Sequence, residues 1–505
     1  MLASEGILPV SYGGGDEGDG GFGGADVVVV NTCGFLEASK EESLGVIAEA
    51  VRAKEAGQVR RVVVAGCLVQ RHRAKMLDWQ PGIDAMVGVF DRDRIVEAVR
   101  GEGGGSSRAN VSEGESPRYW IAGNALQAAA ARGRDTVGLT VNGKDGKGIG
   151  YFEDDSARLR LTPRHYAYLR ISEGCNQNCT FCTIPSIRGK MRSKPLDRIA
   201  AEARELVRDG AVELNLIGQD TTSYGDDIGL GQDASGKGGG LPLLLRTVCD
   251  AVRQEGGGGW VRLMYAYPST FSDAMIDAMA RLVGEGILVP YIDMPLQHAS
   301  DRMLTAMRRN VTASHQRALI DKLRDRVPGM ALRTTLISGF PGETEEDHAE
   351  MLAFVEEVKF DALGVFEYSR EDGTPAGRME GDPALAVAAE VKKRRRDEIM
   401  SLQQRVAFEK ASTMAGRIVD VLIEGKARAA GLATTGVSRG GGLHVGRTRG
   451  QAPMIDAVTF VQSREKLAPG EVVRCQIVGS DGYDLIAKPA GEEDRKVGLR
   501  VMKAK

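Results

Sequence analysis

Short β-branched runs alternate with stretches of helical period along most of this chain, and the alternation changes character twice. Near the start, Ala25-Asp-Val-Val-Val-Val30 and Val62-Val-Val-Ala65 read as buried parallel strands, which are apolar on both faces. Residues 39–54 between them have helical period, with Leu44, Ile47, Ala48 and Val51 on one face. Both runs end at a cysteine-bearing loop, Asn31-Thr-Cys33-Gly34 and Gly66-Cys67-Leu68. Open α/β sheets place their ligands at such carboxyl ends of strands.

From residue 166 to about 408 the strand–helix alternation repeats about six times. Strands are predicted at 166–171, 212–217, 261–265, 291–294, 332–337 and 363–368, with helices such as 196–208, 273–283 and 345–358 after them. Regular βα repetition predicts a parallel sheet curled into a full or partial barrel, with chemistry on the loops that follow the strands. After residue 417 the pattern becomes all-β, with runs at 419–423, 457–461, 472–478 and 485–487 separated by glycine-rich turns, which predicts a small barrel. The fold class is therefore α/β, with four parts. These are an N-terminal α/β domain (1–100), a core with a partial (βα)6 barrel (165–408), a C-terminal all-β barrel (411–490) and a tail (491–505). Residues 101–164 between the first two are mostly Gly, Ser, Ala and charge, and read as a linker or insertion.

Composition changes this picture little. Hydrophobic residues are 42% and charged residues 27%, as in ordinary globular chains. A net charge of −3 provides no whole-protein field to hold a polyanion. No apolar run approaches the roughly 20 residues of a membrane helix, so a soluble, cytoplasmic protein without a membrane partner is expected. Glycine contributes 65 residues, clumped at 13–24, 101–105, 229–240 and 256–259, which predicts loop insertions. Seven cysteines are too few for a disulfide framework, yet three fall within eight positions. Cys249 and Cys475 stand alone in apolar runs and read as core residues.

The strongest chemical signal is Glu173-Gly174-Cys175-Asn176-Gln177-Asn178-Cys179-Thr180-Phe181-Cys182. Three thiolates on one short loop can each ligate an iron of a [4Fe–4S] cubane and leave the fourth iron open. That open iron could chelate the amino and carboxylate groups of S-adenosylmethionine. The competing reading is a structural zinc site, which needs a fourth ligand. The next cysteine is Cys249, in a helical pattern, and His165 precedes the first barrel strand, at its wrong end.

Residues 175–192, including Ile184-Pro185 and Arg188-Gly189, resemble the radical S-adenosylmethionine methylthiotransferases. The likeness covers residues 25–70 (their N-terminal domain), 166–408 (their radical domain) and 417–489 (their TRAM domain, an OB-like barrel). It implies two [4Fe–4S] clusters and S-adenosylmethionine as cofactors. The barrel cluster is then on Cys175, Cys179 and Cys182, and the auxiliary cluster on Cys33, Cys67 and a third cysteine upstream that this sequence lacks. The expectation is that the chain starts late, in which case an organelle address (plastid or mitochondrial) is lost with it. The alternative is a damaged auxiliary cluster, and with it a catalytically impaired homologue that binds the ribosome or RNA. The cofactors carry the chemistry, and no side chain beyond the cluster ligands is assigned to it.

Two branches of that family act on different substrates: an adenosine in transfer RNA, or the β-carbon of an aspartate in the twelfth protein of the small ribosomal subunit. Ile171-Ser-Glu-Gly-Cys175, Gly218-Gln-Asp220-Thr-Thr-Ser-Tyr224, Tyr265-Ala-Tyr-Pro268, Tyr291-Ile-Asp-Met-Pro-Leu-Gln-His298 and Phe366-Glu-Tyr-Ser-Arg-Glu-Asp-Gly-Thr-Pro375 resemble the ribosomal-protein branch. The transfer-RNA branch has Asn at the place of Asp220. Implied partners are that ribosomal protein, an electron donor such as flavodoxin or ferredoxin, and ribosomal RNA through the TRAM domain. The charge of residues 411–490, ten Lys/Arg against seven Asp/Glu, does not decide for RNA. The basic run Lys392-Lys-Arg-Arg-Arg396 lies in a helical pattern and is expected to form a solvated face. Gln219, Asp220, Gln297, His298 and Arg333 fall at or near strand ends and are candidates to bind S-adenosylmethionine or substrate. Phe181 is expected against the adenine or the cluster, or else in the core. Gln219, Thr221, Thr222, Gln297, His298 and Arg370 offer a carboxylate substrate more than a stacked base.

Overall fold

Parallel strands are completed only by crossovers, and this chain supplies them twice before ending in a closed barrel that is antiparallel at all but one pairing. The computed structural model describes residues 24–102, 118–125, 127–128, 162–230, 239–256, 258–427 and 442–491, with 2, 6–8, 22, 105–106, 160, 432–433 and 500–501 as short pieces. Most of the glycine clump at 13–24, most of 101–164 and most of the tail lie outside the described residues.

In the first domain Val27–Thr32, Arg61–Gly66 and Ala85–Val87 lie parallel, the first two in register from Val27 against Arg61 to Thr32 against Gly66. The helix Glu37–Glu55 buries Ile47, Ala50, Val51 and Ala53 on them, a face turned slightly from the expected one. The domain does not end at residue 100. Arg118–Trp120 adds a further parallel strand beside Ala85–Val87, and the Ala122 amide donates to Asp91 (2.7 Å). Three residues of strand are too few for a period to register in the sequence.

In the second domain six parallel strands stand in the order Ala362–Glu367, Ala331–Ser338, Leu288–Asp293, Trp260–Leu263, Glu213–Ile217, Tyr166–Arg170. The two outer strands are not paired with each other, so the barrel is partial. Its convex face carries the main core, where Leu214, Leu263 and Ile292 meet Leu206, Val248 and Met279 from the crossover helices. The edge strand Ala362–Glu367 is covered by the helix Ala389–Ser412, which blunts an otherwise reactive edge. The basic run in that helix is a solvated face only in part: Lys393 and Arg394 are exposed and Arg396 is half-buried. Lys392 and Arg395 are buried, Lys392 on Glu380 (2.5 Å) and Arg395 on Glu343 (3.0 Å), because carboxylates outside the helix pair them.

The last domain is a closed barrel of Ile418–Lys426, Gly442–Thr448, Thr459–Ser463, Asp484–Pro489 and Val472–Asp481, in that spatial order. Its strand Gly442–Thr448 was hidden in the sequence by a run of glycines, which are poor strand formers. This domain packs on the concave side of the partial barrel: Leu422 and Ala452 touch Trp260, Met264, Tyr291 and Ala331. At the contact, Glu213 is wholly buried between Arg262 (2.7 Å) and Arg447 (2.6 Å), and Arg447 also meets Glu424 (2.7 Å). Burial pushes the Glu213 carboxyl up, but the two guanidiniums outweigh it and hold it below the ordinary carboxylate value. Such a group stabilises the fold above its unfolded pKa and loses that contribution as pH falls through the lower folded value. Glu213→Gln leaves two buried cations short of a partner, which costs about 3–5 kcal/mol. Urea unfolding at pH 7 should show that loss, and the variant should lose less further stability on acidification than the wild-type chain.

Candidate cluster site at the barrel mouth

Only glycine fits before the first cysteine of the motif. Gly174 has φ +80°, and a Cβ there would lie 2.3 Å from the Lys190 carbonyl oxygen and 2.5 Å from that of Gly189. The Cys175 amide donates to the Gly189 carbonyl (3.2 Å) and the Met191 amide to Asn176 Oδ1 (3.1 Å), so the loop doubles back on itself. The Cys175 and Cys182 sulfurs each accept from the backbone amide two residues on, of Gln177 and Ile184, at 3.4 Å. Cys179 instead meets Arg309 Nη1 (3.3 Å) and the Tyr267 hydroxyl (3.6 Å). Burial pushes the Cys175 thiol up to about 12, with the Asp220 carboxylate adding to it, and burial pushes Cys182 up to about 11. Thiols this reluctant to ionise are not free nucleophiles at neutral pH; a bound metal is what would draw the protons off.

Among the described residues no three His, Cys, Asp or Glu side chains lie close enough to hold a single metal ion. A cubane takes one thiolate per iron and spaces its ligands farther apart than a single zinc ion does. His165 is not beside the cysteine loop: it lies at the other end of the strand, buried 3.8 Å from Glu424. Cys249 and Cys475 are wholly buried in the cores of their domains.

The two N-terminal cysteine loops also meet through glycine. A Cβ on Gly34 would fall 2.8 Å from the backbone of Cys67 and Leu68, and one on Gly66 (φ +107°) 2.6 Å from the Thr32 carbonyl. Cys33 is exposed and Cys67 buried. Burial raises the Cys67 thiol's pKa, against the pull of Arg188. Arg188 reaches across from the barrel domain, donating to the Cys67 sulfur (3.2 Å) and to Glu173 (2.9 and 3.0 Å). Glu173, two residues before Cys175, also receives Arg170 (3.0 Å). Arg71 crosses in the opposite direction, binding the Gly34 carbonyl (2.8 Å) and Glu371 (2.7 Å). The cysteine pair is thus tied to the loop that carries the cysteine triplet. Two thiols meet a cluster's need only in part.

The other candidates separate clearly. Asp220 is a correction: all four acceptor sites of its carboxylate are taken, by Gln177 (2.9 Å), Thr222 (2.7 Å) and the Ser223 hydroxyl (2.8 Å) and amide (3.3 Å). It organises the cluster loop and has no site left for a cofactor. Arg333 is another. It is the third residue of Ala331–Ser338 and not at its carboxyl end, and its guanidinium is held by Asp293 (2.9 Å) and by Asp456 of the last domain (3.3 Å). Phe181 packs against Phe340 (6.5 Å, 83°) among Met303, Met307 and Tyr368 and anchors the loop. His298 is anchored at Nδ1, which accepts from the Ala299 and Ser300 amides, both at 3.0 Å, while its buried Nε2 has no hydrogen-bond partner and lies 3.7 Å from Glu343. Thr221 donates to the Met264 carbonyl (2.8 Å) and Thr222 to Asp220, so neither is offered to a substrate. Gln219 Oε1 accepts from the Gly174 amide (2.6 Å). Gln297 has φ +74° and a buried Oε1 with no partner, the kind of strained, unsatisfied group that collects at binding sites. Tyr265 is also strained, at φ +57°, and is exposed. Sequence reasoning missed Arg309, Tyr267 and Arg71. No local pattern marks them, because each meets its partner from a distant part of the chain.

Family models match three stretches: the Radical SAM superfamily at residues 169–355, the uncharacterized protein family UPF0004 at 19–88, and the TRAM domain at 415–489. A protein named ribosomal protein uS12 methylthiotransferase RimO, from Anaeromyxobacter sp. (strain Fw109-5), is 39% identical to this chain over 496 residues. The match covers 95% of this chain and 91% of that protein. A protein of the same name from Pelotomaculum thermopropionicum is 38% identical over 462 residues, covering 91% and 90%. A solved structure of the radical S-adenosylmethionine methyltransferase TsrM from Kitasatospora setae, with cobalamin and a [4Fe–4S] cluster bound, has a TM-score of 0.46 and 16% identity. That match covers 70% of this chain and 63% of that one. No helix among the described residues is long and apolar enough to cross a membrane.

Proposed function

The chain belongs to the family of ribosomal protein uS12 methylthiotransferases, and from that membership we propose that it adds a methylthio group to the β-carbon of an aspartate in that ribosomal protein. It is a radical S-adenosylmethionine enzyme whose cofactors are [4Fe–4S] clusters and S-adenosylmethionine. When bound, the clusters supply the electron for reductive cleavage of S-adenosylmethionine and the sulfur for the methylthio group. The observation that carries the reading is the loop of Cys175, Cys179 and Cys182, folded back by Gly174 at the mouth of a partial barrel.

Each protein group then has a part. Cys175, Cys179 and Cys182 hold the barrel cluster, and Cys33 and Cys67 supply thiolates to the N-terminal one. Asp220 fixes Gln177, and through it the loop. Gln297 offers its unpartnered Oε1 to the cofactor or the substrate. Arg370, exposed on the loop after Ala362–Glu367, is the cation that would receive the substrate carboxylate. A one-electron donor such as flavodoxin or ferredoxin, and ribosomal RNA on the TRAM domain, complete the set of partners.

The test is anaerobic reconstitution with iron and sulfide, then incubation with S-adenosylmethionine, a low-potential reductant and the ribosomal protein, read by peptide mass. Arg370→Ala should raise the KM for the ribosomal protein about tenfold, the worth of one charge-assisted hydrogen bond. Formation of 5′-deoxyadenosine without the ribosomal protein should not change in that variant. If the two rates fall together, Arg370 does not contact the substrate.

A further inference from the structure

Of the three thiols in the barrel-mouth loop, Cys179 is the one met by a cation. Arg309 is buried, and its Nη1 donates to the Cys179 sulfur (3.3 Å) while Nη2 donates to the Pro295 carbonyl (2.5 Å). Its guanidinium lies over the Tyr267 ring, 4.2 Å from the centroid. The Tyr267 hydroxyl donates to the Arg309 carbonyl (3.1 Å), so side chain and backbone are gripped by the same residue. Arg308 and Asn310 on either side have φ +54° and +53°, a left-handed conformation that non-glycine residues hold only under tertiary constraint. The same turn takes hold of the cysteine loop, since the Thr180 amide donates to the Met307 carbonyl (3.1 Å) and its hydroxyl to that of Ala306 (2.9 Å). Finally, Arg309 Nε is buried with no protein acceptor, which leaves one charged donor for a group the chain does not itself contain.

Resting on the three-cysteine reading above, we propose that Arg309 is a positioning residue for the barrel cluster, holding the Cys179 sulfur and setting the cluster's reduction potential. Reduction adds negative charge at the sulfurs. A guanidinium held against one of them in a water-poor site favours the reduced form, and hydrogen bonds to cluster sulfurs are a known lever on potential. Cys175 and Cys182 receive hydrogen bonds only from neutral backbone donors, and the Arg309 charge reaches Cys182 without a hydrogen bond.

The experiment is an EPR-monitored redox titration, without S-adenosylmethionine, of the reconstituted full chain and of its Arg309→Met and Arg309→Lys variants. Iron content and the far-UV spectrum of the metal-free proteins are measured alongside. Arg309→Met should bind as much iron as wild type with a lower midpoint potential, and Arg309→Lys, which keeps the charge, should fall between them. An unchanged potential in Arg309→Met overturns the proposal. If Arg309→Met does not hold iron, Arg309→Lys must restore it; loss in both overturns the proposal in favour of a folding role. Cys179→Ala separates the two layers. A variant lacking that cysteine that still holds the same cluster defeats the three-cysteine reading itself, before Arg309 is judged.

Discussion

Replacing Cys179 with alanine is expected to reduce 5′-deoxyadenosine formation to the level of a control without protein, and Cys175→Ala and Cys182→Ala are expected to do the same. The loop offers three thiols and, among the described residues, no neighbouring His, Asp or Glu able to complete a ligand set. Two ligands cannot hold a cubane that already carries one open iron. The effect should be all-or-none, because the loop itself does not depend on the sulfurs. It is pinned by Asn176, by Asp220 through Gln177, and by Thr180 on the Ala306 and Met307 carbonyls. The variants should therefore keep the wild-type far-UV spectrum while losing iron and the visible absorption of the cluster. Cys249→Ala is the matched control. That thiol is wholly buried in the helix Gly240–Gly256, and its loss should leave iron content unchanged. Full activity in Cys179→Ala would remove the basis for the whole reading.

The second large effect is the choice of substrate. A cluster-complete preparation should add the mass of one methylthio group to the aspartate-bearing peptide of the ribosomal protein and leave transfer RNA unmodified. The reacting C–H must be held close to the cofactor, so the walls of the mouth decide what enters. A base would have to be unstacked and sandwiched between flat faces. A carboxylate needs donors or a cation: Arg370 is exposed, Gln219 and Gln297 are half-buried, and Thr221 and Thr222 already donate within the protein. Modified adenosine in digested transfer RNA, with an unchanged ribosomal peptide, would overturn the substrate and spare the radical chemistry. Cleavage of S-adenosylmethionine with no methylthio transfer to either would point to the two-thiol N-terminal site as the failing part.

The sequence by itself determined the periodic parts of this protein. The valine runs 27–30 and 62–64, the helical face around Ile47 and Val51, and the spacing of Cys175, Cys179 and Cys182 are local patterns, and local patterns survive without knowledge of the fold. The predicted helices 196–208 and 345–358 match Leu196–Arg208 and Glu345–Val358 to the residue, and the second begins at a capping box formed by Thr344 and Asp347. What only the tertiary structure decided is which polar residue serves which partner. Asp220 and Arg333 both looked like ligand residues, yet one is saturated by Gln177 of the cluster loop with its own neighbours Thr222 and Ser223, and the other by carboxylates from two domains. Lys392 and Arg395 looked solvated and are buried on acids outside their helix, Glu380 and Glu343. The strand Gly442–Thr448 forms from glycine-rich sequence because the closed barrel pairs it on both sides. Arg188 on Cys67 and Arg309 on Cys179 span separations of 121 and 130 residues. A charge has no period and no preferred neighbour along the chain. Its partner is chosen by burial, which penalises an unpaired ion far more than any local propensity can reward one.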